Sequence, residues 1–232
     1  ALWVAEEVSG LDRTHLILES DCKDIKNILY LEKIISRLIK KEPIQYILGY
    51  TDWMGLRLLL NSYTLIPRPE TAELVEWICS MDWSSKISNN RPLRILDLCT
   101  GSGCIAIALK KRLGNAEVTA IDLSEKAIEI ATENSSQLNA DVEIIKDDAL
   151  RGMTSIEGLT FDIVVSNPPY IPFSEREVMH INVTQHEPHM ALFVDDSDPL
   201  IFYREIARSA HRMLREGGFL LFEIHERLAD ET

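Results

Sequence analysis

The sequence lacks what a membrane protein, a disulfide framework or a nucleic-acid binder needs. None of its 232 residues fall in an apolar run near the roughly 20 needed to span a bilayer. Residues 1–10 lack the basic start of a signal peptide, so a cytoplasmic location with no membrane partner is expected. The four cysteines, Cys22, Cys79, Cys99 and Cys104, form no C-x-x-C pair and have no clustered histidines beside them. That excludes the usual zinc patterns, so no metal is expected, and it leaves buried free thiols rather than disulfides. Internal repeats and low-complexity tracts are absent. Basic charge is also scarce: the formal net charge is −13. Residues 1–45 hold seven Lys/Arg against eight Asp/Glu, and residues 46–232 hold 17 against 29, a net −12. The one adjacent basic run in that acidic part, Lys110-Lys111-Arg112, falls at a helix end, where it complements the dipole. Direct binding to duplex nucleic acid, which needs clustered cations against phosphates, is not expected.

A hydrophobic content of 46% supports one large domain, or a medium domain with a small appendage. Apolar residues from Ile25 to Ile39 recur at helical spacing within Asp24 to Lys41, and Pro43 stops the pattern. With the segment Leu2 to Val8 they predict a small helical domain over residues 1–45. Residues 46–66, with Gly49, Gly55 and the run Leu56 to Leu60, predict a β-hairpin linker. Pro67-Arg68-Pro69-Glu70-Thr71 opens a helix reaching about Trp83, and Asn89 to Pro92 reads as a loop. Beyond it strands near 93–98, 117–122, 142–147, 161–166 and 218–224 alternate with helices near 103–113, 124–138 and 199–215. This predicts an α/β fold with a mostly parallel, doubly wound Rossmann-like sheet over residues 67–232.

Two motifs sit at strand ends. Ile95 to Leu98 runs through Cys99-Thr100-Gly101-Ser102-Gly103 into a helix, so that glycines let backbone amides approach a ligand at the helix N-terminus. With Asp122 placed 19 residues beyond Gly103, this also fits a dinucleotide fingerprint. Asp97, the acidic pair Asp147-Asp148 and a second motif favour S-adenosyl-L-methionine over a nicotinamide. The second motif is Asn167-Pro168-Pro169-Tyr170, after the apolar strand Phe161 to Ser166. Proline fixes the backbone there and drives Asn167 to an extended conformation. The Asn167 side-chain oxygen and the Pro168 carbonyl can hold both hydrogens of an NH2 whose lone pair is conjugated, as in an amide or an aromatic amine. Read alone, the tetrapeptide fits a strand-ending turn equally well.

Together with Glu42-Pro43-Ile44-Gln45-Tyr46-Ile47-Leu48-Gly49, Leu65 to Thr71, Leu96 to Gly103 and His186-Glu187-Pro188, the tetrapeptide resembles the release-factor glutamine methyltransferases, class I S-adenosylmethionine-dependent enzymes. Asn-Pro-Pro-Tyr by itself is shared with adenine-methylating DNA enzymes, the alternative reading, which the acidic charge disfavours. The resemblance implies that Asp97 meets the cofactor's amino group and that Cys99, Thr100, Gly101, Ser102 and Gly103 cradle its methionine part. Asp122 is then expected at the ribose, Asp148 and Ala149 at the adenine, and Asn167 between cofactor and substrate. Asn167 and Pro168 orient the substrate amide, Tyr170 packs on it and Pro169 completes the pocket. The implied partner is the Gly-Gly-Gln loop of a peptide chain release factor. Cys99 stands where many members have glycine. The family's helical domain usually begins upstream of Ala1, and class I enzymes add two strands beyond the fifth, so a chain shorter than the family pattern is expected. Arg68 and Glu70 belong either to the mouth of the site or to an ordinary cap and ion pair. His180, His186 and His189 receive no role.

Overall fold

A computed structural model describes residues 2–18, 28–83 and 91–232. The expected helix start at Asp24, Cys22 and the Asn89-Asn90 part of the loop lie outside the described residues. The chain forms two compact units, Ala1–Leu48 and Gly49–Thr232. The first contains helices α1 (Leu2–Ser9), α2 (Arg13–Leu18), α3 (Ile28–Ile39) and α4 (Ile44–Leu48). Arg37 organises its end by ion-pairing with Glu42 and donating to the carbonyls of Tyr46 and Ile47, which α4 leaves without helical partners.

The hairpin is narrower than the sequence predicts, because Tyr46 to Leu48 complete α4. Strands β1 (Tyr50–Trp53) and β2 (Leu56–Leu59) pair antiparallel, with Trp53 opposite Leu56. Met54 and Gly55 turn between them with φ of 51° and 77°, the two positive angles that a tight hairpin requires. Helix α5 (Pro69–Ser80) starts on proline, whose missing N–H costs nothing in a first turn. It stops short of Trp83, whose indole N–H folds back to donate to the Ile78 carbonyl at 2.9 Å.

There follow β3 (Arg94–Leu98), α6 (Cys104–Leu113), β4 (Glu117–Asp122), α7 (Glu125–Gln137), β5 (Val142–Lys146) and β6 (Phe161–Ser166). Short pieces that no periodicity announces come next: β7 (Ile171–Pro172), α8 (Ile181–His186), α9 (His189–Leu192) and β8 (Phe193–Val194). Helix α10 (Ile201–Met213) then leads into β9 (Leu214–Phe222), which begins earlier than expected. The central sheet is parallel, in the order β5-β4-β3-β6-β9. Ile95, Ile163 and Val165 enter one core layer, while Leu96, Leu98 and Val164 enter the other, all of them fully buried. Burial on both faces is why these strands read as mostly apolar runs.

This order sets the site. From β3 the chain winds outward through β4 to β5, then returns to place β6 on the other side of β3. The carboxyl ends of β3 and β6 therefore flank the point where strand order reverses, the usual ligand crevice of such sheets. Leu98 pairs with Ser166, so Cys99 and Asn167 leave adjacent strands at the same level. Among the described residues no helix is long and apolar enough to cross a membrane, and no group of three or more His, Cys, Asp or Glu is placed to hold a metal.

Candidate active site

The turn after β3 runs through three residues with positive φ: Cys99 at 59°, Gly101 at 57° and Gly103 at 82°. The two glycines serve different ends. A Cβ on Gly101 would meet nothing within 4 Å, and the residue lines a cavity, so its bareness keeps the backbone open to a ligand. A Cβ on Gly103 would sit 3.0 Å from Ile107 Cδ1 and 3.3 Å from Ala131 Cβ. Gly103 lines no described cavity, and its bareness lets α6 and α7 pack closely. Cys99 adopts a left-handed conformation without being glycine, at a cost of about 1–2 kcal/mol, and still lines the cavity.

Carboxylates hold this turn. Asp97 is wholly buried; its Oδ2 accepts from Thr100 Oγ1 at 2.6 Å and from the Ala106 amide at 3.1 Å. Its Oδ1 is buried with no hydrogen-bond partner, as is Ser102 Oγ. Burial pushes the Asp97 carboxyl up to about 7, against the opposing effect of those two donors. Asp97 does not line the cavity, but Thr100, which it holds, does. Asp122, at the end of β4, accepts from the Gly101 amide at 2.8 Å and from the Ser124 amide at 2.9 Å. Burial raises its pKa too, and Ser124 rather than Asp122 caps α7, accepting from Ala127. Asp147 is tied to Ser155 through both its amide and its hydroxyl, while Asp148 accepts from the Leu150 amide at 2.9 Å. These bonds hold the acidic pair in a turn.

The cavity brings together Cys99, Thr100, Gly101, Ser102, Asp122, Asp148, Ala149 and Asn167 from the residues that the sequence singled out. Tyr63, Leu65 and Met190 add apolar walls, Met190 from α9; of the three only Leu65 stood in a quoted motif. A second cavity is lined by Leu65, Arg68, Asn167, Tyr170, Ile171, Met179 and Val183, among others. Asn167 lines both. Pro169 faces the first cavity, and Pro168 is buried without lining either.

Arg68 lines the second cavity and ion-pairs Glu187 at 2.6 Å. Glu187 is 4% exposed and also accepts from the Ile66 amide, which ties the Leu65 to Thr71 segment to His186-Glu187-Pro188. Glu70 is exposed in the first turn of α5. His180 accepts from the Asn182 amide at the start of α8, and His189 donates to the Thr184 carbonyl, both local roles. Sequence reasoning missed three polar residues. Thr71 and Glu223 link to Asn167 and Tyr170, and fully buried Asn134 joins β2 to the glycine turn. Thr71 stood inside a quoted motif, whereas a lone polar residue in a helix gives no such sign.

A parallel sheet that reverses at β3, with an acidic glycine turn beside Asn-Pro-Pro-Tyr, defines a Rossmann-like methyltransferase. Residues 83–188 match the methyltransferase small domain and residues 1–49 match the PrmC N-terminal domain. The release factor glutamine methyltransferase of Flavobacterium psychrophilum is 46% identical over 230 residues, covering 99% of this chain and 79% of that protein. That of Bacteroides thetaiotaomicron is 47% identical over 210 residues, covering 90% and 71%. The chain belongs to the release factor glutamine methyltransferase family. A solved SAM-dependent methyltransferase from Agrobacterium tumefaciens shares the fold at 21% identity and a TM-score of 0.50, over 76% of this chain and 53% of that one.

Proposed function

We propose that this protein transfers a methyl group from S-adenosyl-L-methionine to the side-chain amide nitrogen of the glutamine in the Gly-Gly-Gln motif of peptide chain release factors. The observation that carries the reading is the position of Asn167 on the wall of both cavities, which lets one side chain serve a donor in one and an acceptor in the other.

The residues present fit the cofactor. Gly101 offers open backbone, Asp97 Oδ1 and Ser102 Oγ are buried polar atoms without partners, and Asp122, whose two oxygens accept from the Gly101 and Ser124 amides, has lone pairs to spare, since a carboxylate offers about four acceptor sites. The backbone from Cys99 to Gly103 is assigned to the methionine part, Asp97 to its amino group, Asp122 to the ribose hydroxyls, and Asp148 with Ala149 to the adenine. When bound, the cofactor supplies an electrophilic methyl group on a sulfonium, which leaves without needing an acid.

The chain's task is then positioning. The glutamine amide nitrogen is a weak nucleophile because its lone pair is conjugated. Asn167 Oδ1 and the Pro168 carbonyl accept its two hydrogens and aim that lone pair, while Tyr170 packs on the flat amide. Once methylated, the nitrogen is acidic enough for water to take its proton, so no general base is assigned. Two glycines give the substrate loop the narrow backbone needed to reach past the rim, and the helices of residues 1–45 are assigned to docking the factor that carries it. The protein is assigned to the cytoplasm, where release factors act.

Turnover and cofactor affinity of Asn167 variants test the assignment. Asn167→Ala should lower turnover about a hundredfold or more and change cofactor affinity much less, and Asn167→Asp should retain more activity because a carboxylate still accepts. Near wild-type rates for both variants contradict the clamp.

A further inference from the structure

Behind Asn167 lies a relay that the proposed chemistry does not use. Thr71, 2% exposed, donates its only hydroxyl hydrogen to Glu223 Oε2 at 2.6 Å. Its oxygen accepts from Asn167 Nδ2 at 3.2 Å. The other oxygen of Glu223 accepts from the Tyr170 hydroxyl at 3.0 Å. Burial, and then the charge of Glu223, push the Tyr170 phenol upward, so it stays a donor at neutral pH.

Hydrogen positions follow from what each group is able to do. The Glu223 carboxylate oxygen accepts, so the Thr71 hydroxyl hydrogen is committed to it. Thr71 is then left with lone pairs alone toward Asn167. Only the NH2 end of the Asn167 amide satisfies them, and the carbonyl end is left for the substrate side. With the amide reversed, two acceptors would face each other at Thr71 and two NH2 groups would face each other at the reacting nitrogen.

We propose that Glu223, acting through the Thr71 hydroxyl, is a positioning residue that fixes which end of the Asn167 amide faces the substrate. The same carboxylate anchors Tyr170, so a single group at the end of β9 sets two walls of the acceptor pocket. The inference rests on the reading of Asn167 as the acceptor for the substrate amide.

Methyl transfer to a purified release factor should be compared for Thr71→Val, Thr71→Ser, Glu223→Leu, the Thr71→Val/Glu223→Leu double variant and Asn167→Ala, with cofactor affinity and thermal unfolding measured for each. Thr71→Val and Glu223→Leu should each lower kcat about tenfold or more, with cofactor affinity and the KM for the release factor within about threefold of wild type. Thr71→Ser, which keeps the hydroxyl, should recover kcat to within about twofold. The double variant should be no slower than the worse single one, because both break one chain of hydrogen bonds. If Glu223→Leu does not fold, the valine and serine pair decides the matter. Wild-type kcat in Thr71→Val, or equal loss in valine and serine, overturns the relay while leaving the clamp intact. A wild-type rate in Asn167→Ala overturns the clamp itself.

Discussion

Asn134 offers a sharp test of how the fold holds the cofactor turn. This residue on α7 is fully buried. Its Oδ1 accepts from the Leu59 amide at 2.7 Å, and its Nδ2 donates to the carbonyls of Leu59 at 3.0 Å and Ser102 at 2.9 Å. Asn134→Ala leaves one amide N–H without a partner, costing about 1–3 kcal/mol, and removes one donor from each of two carbonyls at a smaller cost. The sum is about 2–4 kcal/mol. For a unit of this size each kcal/mol lowers Tm by about 2–4 °C, so scanning calorimetry should show a fall of about 5–15 °C in the transition that added cofactor raises. Asn134→Asp is the more telling variant. It keeps the acceptor for Leu59 but places a carboxylate against two carbonyls, so it should be at least as damaging as alanine despite its matching shape. Cofactor affinity should weaken severalfold in both, because the Ser102 turn loses its tether. An aspartate variant melting within about 1 °C of wild type would refute the reasoning.

Gly101→Ala should cost about 1 kcal/mol in stability, for its positive φ, yet weaken cofactor binding at least tenfold, because its Cβ enters the open cradle; calorimetric titration separates the two effects. Gly103→Ala should do the reverse, melting lower through its contacts with Ile107 and Ala131 while the remaining folded protein binds cofactor more nearly normally. Asp122→Ala should weaken cofactor binding by about 1–3 kcal/mol through loss of a charged acceptor, and unchanged binding in the same titration contradicts its assignment. Asp97, raised by burial from 3.8 to about 7, binds more protons folded than unfolded between those values. Its contribution to stability is therefore fully present below about pH 4 and is lost as pH rises through about 7. Ligand-free Asp97→Asn should gain in Tm relative to wild type from pH 4 to pH 8, and parallel profiles would contradict this.

The sheet was legible because its central strands are buried on both faces, which leaves mostly apolar strands at Ile95 to Leu98 and Phe161 to Ser166, each broken by one aspartate. The hairpin was misplaced at its start because Tyr46 and Ile47 are buried in a short helix, and one helical turn carries no periodic signature. The same brevity hid the pieces between Ile171 and Val194. In the site, residues whose backbone must take a special conformation, such as Gly101, showed in the motif itself. Residues that act through long-range contacts did not: Thr71 meets Glu223 across 152 residues of sequence. Asp97 and Gly103 were singled out with ligand contact as their role. Neither lines a described cavity: Asp97 bonds within the turn and Gly103 lets two helices pack, contacts that a linear pattern does not encode.

The central claim is tested most directly by incubating the protein with S-adenosyl-L-methionine and a mixture of folded release factor and adenine-containing duplex DNA, then mapping both by mass spectrometry. A single added methyl on the glutamine of Gly-Gly-Gln, with unmodified DNA, is the predicted result. A duplex would have to flip a base, at a cost of a few kcal/mol, toward a region of net charge −12 whose one basic run, Lys110-Lys111-Arg112, falls at a helix end. Methylated adenine beside an unmodified release factor would contradict the account.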